Sequence, residues 1–134
     1  MNARFRQITT VLMVTFILAG CHRVEPIYNV DNNPVSVDTS HKIEQGQVGK
    51  IIAGAAISNG WTVEKIKSGE LRVTKQWGSF SEVCSILYSD SAYSIEFVSA
   101  TNLDQKDGKI HHKYNEHVKA LQKSINNKLA AESL

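Results

Sequence analysis

Residues 61–77 read WTVEKIKSGELRVTKQW, and this stretch decides the fold class of the 134-residue chain. Apolar and polar side chains alternate from Trp61 to Ile66 and again from Leu71 to Trp77, which is the period of a half-buried β-strand. Ser68 and Gly69 lie between the two runs and are typical of a tight turn. The stretch therefore predicts a β-hairpin.

Two further runs with strand character follow the hairpin. They extend from Glu82 to Ser89 and from Tyr93 to Ser99, and the two residues Asp90 and Ser91 give a connection of hairpin length. The last run places Tyr93 and the next two apolar residues on one face and polar residues on the other. We expect a four-stranded antiparallel meander with one covered face and one face in water.

Helical periodicity is present on both sides of the meander. From Gln45 to Asn59, apolar residues recur at helical spacing, and Gly60 stands where a C-terminal cap is common. A longer apolar stripe follows the meander, at Ile110, Tyr114, Val118, Leu121, Ile125 and Leu129. We expect an α+β domain in the order helix, four-stranded meander, C-terminal helix, with both helices packed on one sheet face.

The composition limits the chain to one domain. It has 42% hydrophobic and 21% charged residues, with 15 Lys and Arg against 13 Asp and Glu. This hydrophobic content is too high for a disordered chain, and the length accommodates one ordinary core. A multidomain enzyme is excluded.

The first 21 residues are typical of a bacterial lipoprotein signal. Arg4 and Arg6 precede a mostly apolar stretch from Ile8 to Leu18, which is too short to span a bilayer and fits a secretory signal. The sequence Leu18-Ala19-Gly20-Cys21 looks like the lipobox, in which the cysteine is lipidated and becomes the first mature residue. We expect residues 1–20 to be removed and Cys21 to carry diacylglyceryl and N-acyl lipid.

The predicted cleavage removes the excess positive charge. Residues 1–20 contain two of the 15 basic residues and none of the 13 acidic ones, so the mature chain is formally neutral. A nucleic-acid partner, which requires a clustered positive surface, is therefore not expected. His22 follows the cysteine, whereas in the enterobacterial lipoproteins that this segment resembles an aspartate at that position retains the protein in the inner membrane. We expect a periplasm-facing lipoprotein of the bacterial outer membrane.

Residues 21–44 are interpreted as the lipidated cysteine and a flexible tether, and residues 45–134 as the folded domain. The segment contains Pro26, Pro34 and a cluster of Asn and Asp residues, which is typical of irregular chain. Within it, Val35 to Val37 could add to the sheet as an edge strand.

Cys84 is the one remaining thiol of the predicted mature domain. It lies in the apolar run Val83 to Tyr88. An unpaired, exposed thiol is unfavourable in an oxidising compartment, so we expect Cys84 to be a buried core residue.

Two segments resemble a known family. Residues 52–61 end in Gly60-Trp61, and residues 110–121 read IHHKYNEHVKAL. They resemble a group of small proteobacterial lipoproteins of unassigned function, which share a lipobox, a helix ending in Gly-Trp, a strand meander and a similar final helix. The matching positions are Gly60, Trp61, Ile110, His111, Tyr114, Asn115, Val118 and Leu121. His117 stands where an aromatic residue is usual, which suggests a packed ring, and the resemblance implies no activity.

One cluster contains possible metal ligands. His111, His112, Glu116 and His117 are close in sequence, and His112 and Glu116 share a helix face at i and i+4. Zinc requires three or four ligands, and the His-Glu-x-x-His pattern is absent. We expect no metal site. His111 then caps the helix or packs on the sheet, with a site at His112 and Glu116 as the alternative.

The residues chosen as possible ligand or partner contacts are Trp61, His111, Tyr114 and Asn115. Trp61, like Trp77, could line a groove for sugar or peptide, although core packing is commoner for aromatic residues on strands. Tyr114 lies on the apolar stripe, which favours the core, and Asn115 could bond the sheet backbone. None of the nucleophile-elbow, phosphate-loop or dinucleotide motifs is present.

These observations predict a non-enzymatic, membrane-anchored envelope lipoprotein without a cofactor, which serves as an interaction module for a protein or the cell wall. The alternative is a metal-binding or hydrolytic periplasmic protein that uses His111, His112 and Glu116.

Overall fold

The computed structural model describes residues 23–35, 40 and 42–134. The predicted signal peptide and Cys21 lie outside the described residues. The elements are, in chain order, β1 (Val24–Pro26), β2 (Val30–Pro34), α1 (Gln45–Ser58), β3 (Thr62–Lys67), β4 (Glu70–Trp77), β5 (Phe80–Tyr88), β6 (Ala92–Thr101), β7 (Lys109–His111) and α2 (His112–Glu132). The α+β class predicted from the sequence is confirmed.

The main sheet is antiparallel and has the strand order β2-β6-β5-β4-β3. The four predicted meander strands are β3 to β6, and Gly69 has the positive φ of 83° that the turn between β3 and β4 requires. The predicted number of four strands is wrong, because β2 pairs with β6, with Val30 opposite Ile95. The sheet therefore has five strands.

The segment before α1 belongs to the folded domain. We call residues 23–35 the arm: its β1 pairs with β7 and its β2 pairs with β6, and Val30 and Val35 are buried. The prediction of a flexible tether over residues 21–44 is therefore wrong for the arm. The edge strand that the structure describes is Val30–Pro34. The possible strand from Val35 to Val37 lies mostly outside the described residues, because residues 36 and 37 are not among them.

Both helices cover the same face of the main sheet. Side chains alternate along a strand, so Cys84 and Tyr88 of β5 point to one face. The Cys84 thiol contacts the Tyr114 hydroxyl of α2 at 3.2 Å. Gly49 of α1 lies so close to the sheet that a Cβ there would stand 2.6 Å from the Tyr88 hydroxyl oxygen. The core between the layers includes Val48, Ile52, Leu71, Val73, Ile86, Ile95, Val118, Leu121 and Ile125.

The two helices begin where different interactions place them. Helix α1 begins at Gln45 as predicted, and Gly60 follows its end with a φ of 82°. The final helix begins at His112 rather than at Ile110, because Ile110 is paired with the arm in β7. Among the described residues, no helix is both long and apolar enough to span a membrane.

Candidate functional site

A cleft of about 230 Å³ lies at the end of the domain where the arm begins. Its wall combines the start of the arm, the β4–β5 hairpin, the loop after β6 and the junction of β7 with α2. We call it the arm cleft, and it is lined by Arg23, Trp77, Phe80, Leu103, His111 and Lys113. Three of these residues are basic or imidazole side chains and three are apolar.

The apolar wall contains a stacked pair of aromatic rings. Trp77 and Phe80 stack with their ring centroids 5.5 Å apart, on either side of a turn in which Gly78 has a φ of 56°. Leu103 is buried behind them, whereas Phe80 is 38% exposed. An aromatic side chain that is fixed and half in water can contact a ligand without a large loss of side-chain entropy.

The polar rim is formed by exposed side chains. Arg23 pairs with Asp104 at 3.7 Å, and Lys113 pairs with Glu116 at 3.4 Å. The two arginine and lysine side chains are 71% and 54% exposed, so these ion pairs contribute little stability and exchange readily. The rim can therefore offer its cations to an anion.

His111 has a structural task at this rim. Its Nδ1 accepts a hydrogen bond from the Lys113 backbone N–H at 3.2 Å and caps α2, and its ring stacks on His112 with centroids 4.5 Å apart. Desolvation, with smaller contributions from His112 and Arg23, lowers the pKa of His111. A lowered pKa favours the uncharged ring, which suits an Nδ1 that accepts a hydrogen bond.

A buried carboxylate lies behind the apolar wall. Glu82 is fully buried, and its Oε1 is 2.7 Å from Nδ1 of His117, whose ring packs edge-on against Trp77. Within the described residues, Glu82 Oε2 has no hydrogen-bond partner. Burial raises the pKa of Glu82, and the hydrogen bond with His117 and the charge of Lys75 oppose this rise.

Sequence reasoning missed Glu82, although a signal for it exists. Glu82 has the same parity as Cys84 and Ile86 in β5, so strand alternation places a carboxylate on the covered face of the sheet. The His117 ring packs against Trp77, as the sequence suggested, and it also forms a hydrogen bond with Glu82.

Trp61 and Tyr114, chosen as possible contacts, are buried. Trp61 is 3% exposed and lies near the Lys75 ammonium, which is 5.8 Å from its ring centroid. Tyr114 packs edge-on against Phe97. Burial raises the pKa of Tyr114 and raises that of Cys84 to about 12. The prediction that Cys84 is buried is confirmed. The buried rings of Trp61 and Tyr114 are not available to a partner in this structure.

Asn115 holds the arm. Its Oδ1 accepts from the Tyr28 backbone N–H at 2.9 Å, and its Nδ2 donates to the Pro26 carbonyl at 2.9 Å and to a Glu25 carboxylate oxygen at 3.0 Å. The side chain is only 4% exposed. It therefore replaces water for backbone groups that the arm alone cannot pair.

Two further amides of α2 continue this contact. The Gln122 side chain accepts from the Tyr28 hydroxyl and donates to Asn33, and Asn126 accepts from both Asn33 and the Tyr93 hydroxyl. We call Asn115, Gln122 and Asn126 the amide row. The signal for it is three amides at spacings of seven and four on one side of the apolar stripe.

The possible metal ligands form a pair. Nδ1 of His112 is 3.1 Å from Glu116 Oε1, and this hydrogen bond is the main cause that lowers the pKa of Glu116. No group of three or more His, Cys, Asp or Glu residues in the described part of the chain is arranged to hold a metal. The pair is a surface contact in the first turn of α2.

The arm cleft and the amide row both bring polar side chains of α2 or its first turn to the arm. The fold positions both at the boundary between the arm and the rest of the domain. Comparisons with protein-family models, with curated proteins and with solved structures find no match for this chain.

Proposed function

We propose that this protein is a lipoprotein of the bacterial cell envelope, with residues 1–20 removed and diacylglyceryl and N-acyl lipid on Cys21. Its domain faces the periplasm and is a non-enzymatic interaction module for an envelope protein or the cell wall. The outer membrane is the proposed location, because His22 follows the cysteine. The observation that carries the proposal is Leu18-Ala19-Gly20-Cys21 after an apolar stretch of signal length.

The arm supports an anchored position for the domain. The amide row and β7 hold the chain from Arg23 onward, only two residues after Cys21. A lipid on Cys21 would therefore hold the folded domain close to the bilayer, since acyl chains contribute about 0.8 kcal/mol for each buried methylene.

The uncovered face of the main sheet is the proposed partner surface. Leu87 and Val98 each follow a residue that packs toward the helices, Ile86 and Phe97. Because side chains alternate along a strand, Leu87 and Val98 point away from the helices. They are 40% and 43% exposed and lie among polar side chains such as Ser94 and Glu96. A surface of mixed character suits a reversible contact rather than a permanent dry interface.

Lipidation is tested by feeding cells an alkyne analogue of palmitate and by mass spectrometry of the N-terminal peptide. We expect label in the wild type and its loss in Cys21→Ser, which should accumulate as the longer precursor. Cys84→Ser is the matched control and keeps the label, since Cys84 is buried. A Cys21→Ser protein that matures normally and is released into the periplasm would contradict the proposal.

The partner surface is tested by placing a photoreactive residue at Leu87 or at Val98 in living cells. We expect a discrete cross-linked product from these positions. Ile57 on α1 is the matched control, because it is 63% exposed and lies outside the sheet. Equal products from all three positions, or products unchanged by Cys21→Ser, would contradict an anchored module that uses its sheet.

A further inference from the structure

We propose that the arm cleft binds the phosphate of an anionic phospholipid headgroup in the leaflet that holds the Cys21 lipid. The end of the domain formed by β1 and β7 would then rest on the membrane surface. This inference rests on the proposed lipidation of Cys21. It gives the cleft a ligand, and it gives the domain an orientation relative to the membrane.

The first step is the short distance between anchor and cleft. Whatever conformation the intervening residues adopt, Arg23 lies no more than about 7 Å from Cys21, because a residue extends the chain by about 3.3–3.6 Å. The headgroup layer on each side of a bilayer is of comparable thickness, about 5–8 Å. A lipidated Cys21 therefore places Arg23 at headgroup depth.

The second step is the rigidity of the arm. Val24 pairs with His111, and the Arg23 carbonyl accepts a hydrogen bond from the His112 backbone N–H at 2.9 Å. The Asn115 side chain holds the following part of the arm through hydrogen bonds to the backbone of Pro26 and Tyr28. The domain cannot move away from the anchor without breaking these bonds, so the cleft stays with Arg23 at the membrane.

The third step is the chemistry of the cleft. Arg23 and Lys113 supply cations for a phosphate. Of the described residues that line the cleft, none is acidic. Asp104 and Glu116 contact the two cations from outside the lining at 3.7 and 3.4 Å, in exposed pairs that a phosphate can replace.

The fourth step is the aromatic wall. Trp77 and the 38% exposed Phe80 stand beside the cations. Aromatic side chains that are partly exposed to water are enriched at the boundary between membrane and water. The cleft, at about 230 Å³, is smaller than the roughly 300–1,000 Å³ of sites that enclose a drug-sized ligand, which suits a headgroup rather than a whole lipid.

The experiment uses the mature, lipidated protein purified from membranes and reconstituted in vesicles of phosphatidylcholine, with or without phosphatidylglycerol. Trp61→Phe makes Trp77 the one reporter, and Phe is suitable because the Trp61 indole N–H has no hydrogen-bond partner in the described part of the chain. The measured quantity is the quenching of Trp77 by acrylamide. We expect phosphatidylglycerol to protect Trp77.

The cleft variant is Arg23→Gln with Lys113→Gln. The ratio of docked to free domain should fall about fivefold for each charge removed, since each basic residue near an anionic surface contributes about 1 kcal/mol. Lys65→Gln with Lys128→Gln removes the same charge from exposed positions outside the cleft. This control should retain the protection.

Several results would overturn the inference. Equal quenching in both kinds of vesicle would show that the cleft does not engage the headgroup. Equal loss in the cleft variant and in the control would indicate general charge attraction, and protection by glycerol phosphate without vesicles would indicate a site for a free anion. Mass spectrometry of the N-terminal peptide separates these outcomes from a failure of lipidation, which would remove both proposals.

Discussion

The two edges of the main sheet are held in different ways. The β3 edge precedes β4, is joined to it by a two-residue turn, and pairs with it from Thr62 to Lys67 with a register shift between Lys65 and Lys67. The β2 edge belongs to the arm, is far from β6 in sequence, and has a register shift between Val30 and Asn33. The amide row of α2 secures it from the side.

The difference shows how an edge strand of weak strand propensity can be kept in place. Because the turn is short, pairing β3 with β4 costs little loop-closure entropy. The β2 edge has to be brought from a distant part of the chain, and its asparagines favour turns. Hydrogen bonds from α2 to the arm backbone compensate, because a buried amide without a partner costs about 1–3 kcal/mol.

The largest expected effect is a loss of stability that both edges of the sheet share. Ile86→Ala removes a fully buried side chain from the central strand β5, and we expect the free energy of unfolding to fall by about 2–5 kcal/mol. Urea unfolding gives this value, and amide exchange should accelerate at β2 and β3 together. The exposed neighbour Leu87→Ala is the control, and a comparable loss there would contradict the assignment of the core.

The next effect separates the two edges. Asn115→Ala leaves the Tyr28 N–H and the Pro26 carbonyl without their partner, and we expect a loss of about 2 kcal/mol. Hydrogen exchange should accelerate first at Tyr28 and across the arm, before β4 and β5. Asn127→Ala, an exposed amide of α2, should leave the arm unchanged. Uniform acceleration across the sheet would contradict a separate role for the amide row.

A smaller effect is the pH dependence of stability that comes from the contact between Glu82 and His117. Unlike the amide row, this contact contains groups that titrate. The fold raises the pKa of Glu82 above its ordinary value of 4.5, so the wild type loses stability as the pH rises through the folded pKa. Glu82→Gln does not titrate. The free energy of unfolding, measured from pH 4 to 8, should therefore shift in favour of Glu82→Gln over the wild type as the pH rises, and a difference that does not change with pH would contradict the raised pKa of Glu82.

The smallest effect concerns the β3 edge. Lys65→Gln changes an exposed side chain on the outer strand, and we expect a change within about 0.5 kcal/mol, as for other surface substitutions. Exchange at the arm amides should not change. A loss as large as that of Asn115→Ala would show that charges on β3, and not its turn and backbone pairing, hold that edge.

The sequence predicted the parts of the fold that local periodicity encodes. Alternation from Trp61 to Phe97 gave the meander, and helical spacing gave α1 from Gln45. The arm was missed because Asn29 to Asn33 have the composition of irregular chain, and their partners lie at the other end of the sequence. The same arm sets the start of the final helix at His112, because it pairs Ile110 into β7.

The candidate site was less predictable than the fold. Of the six residues that line the arm cleft, sequence reasoning chose His111 as a possible contact and considered Trp77 as a groove residue. The others come from separate segments, and each one alone is an ordinary surface or core residue. Trp61, Tyr114 and Asn115 were chosen for their residue type, and their contacts in the fold are with the domain itself.

The sequence by itself determined the α+β class, the meander, the buried Cys84 and the expectation of a lipid on Cys21, because these depend on the order of neighbouring residues. Only the tertiary structure decided that the arm is part of the domain, that Glu82 and His117 meet, and that Arg23 and Lys113 face one cleft. Such contacts depend on which surfaces pack together, and packing is a property of the whole chain rather than of any one segment.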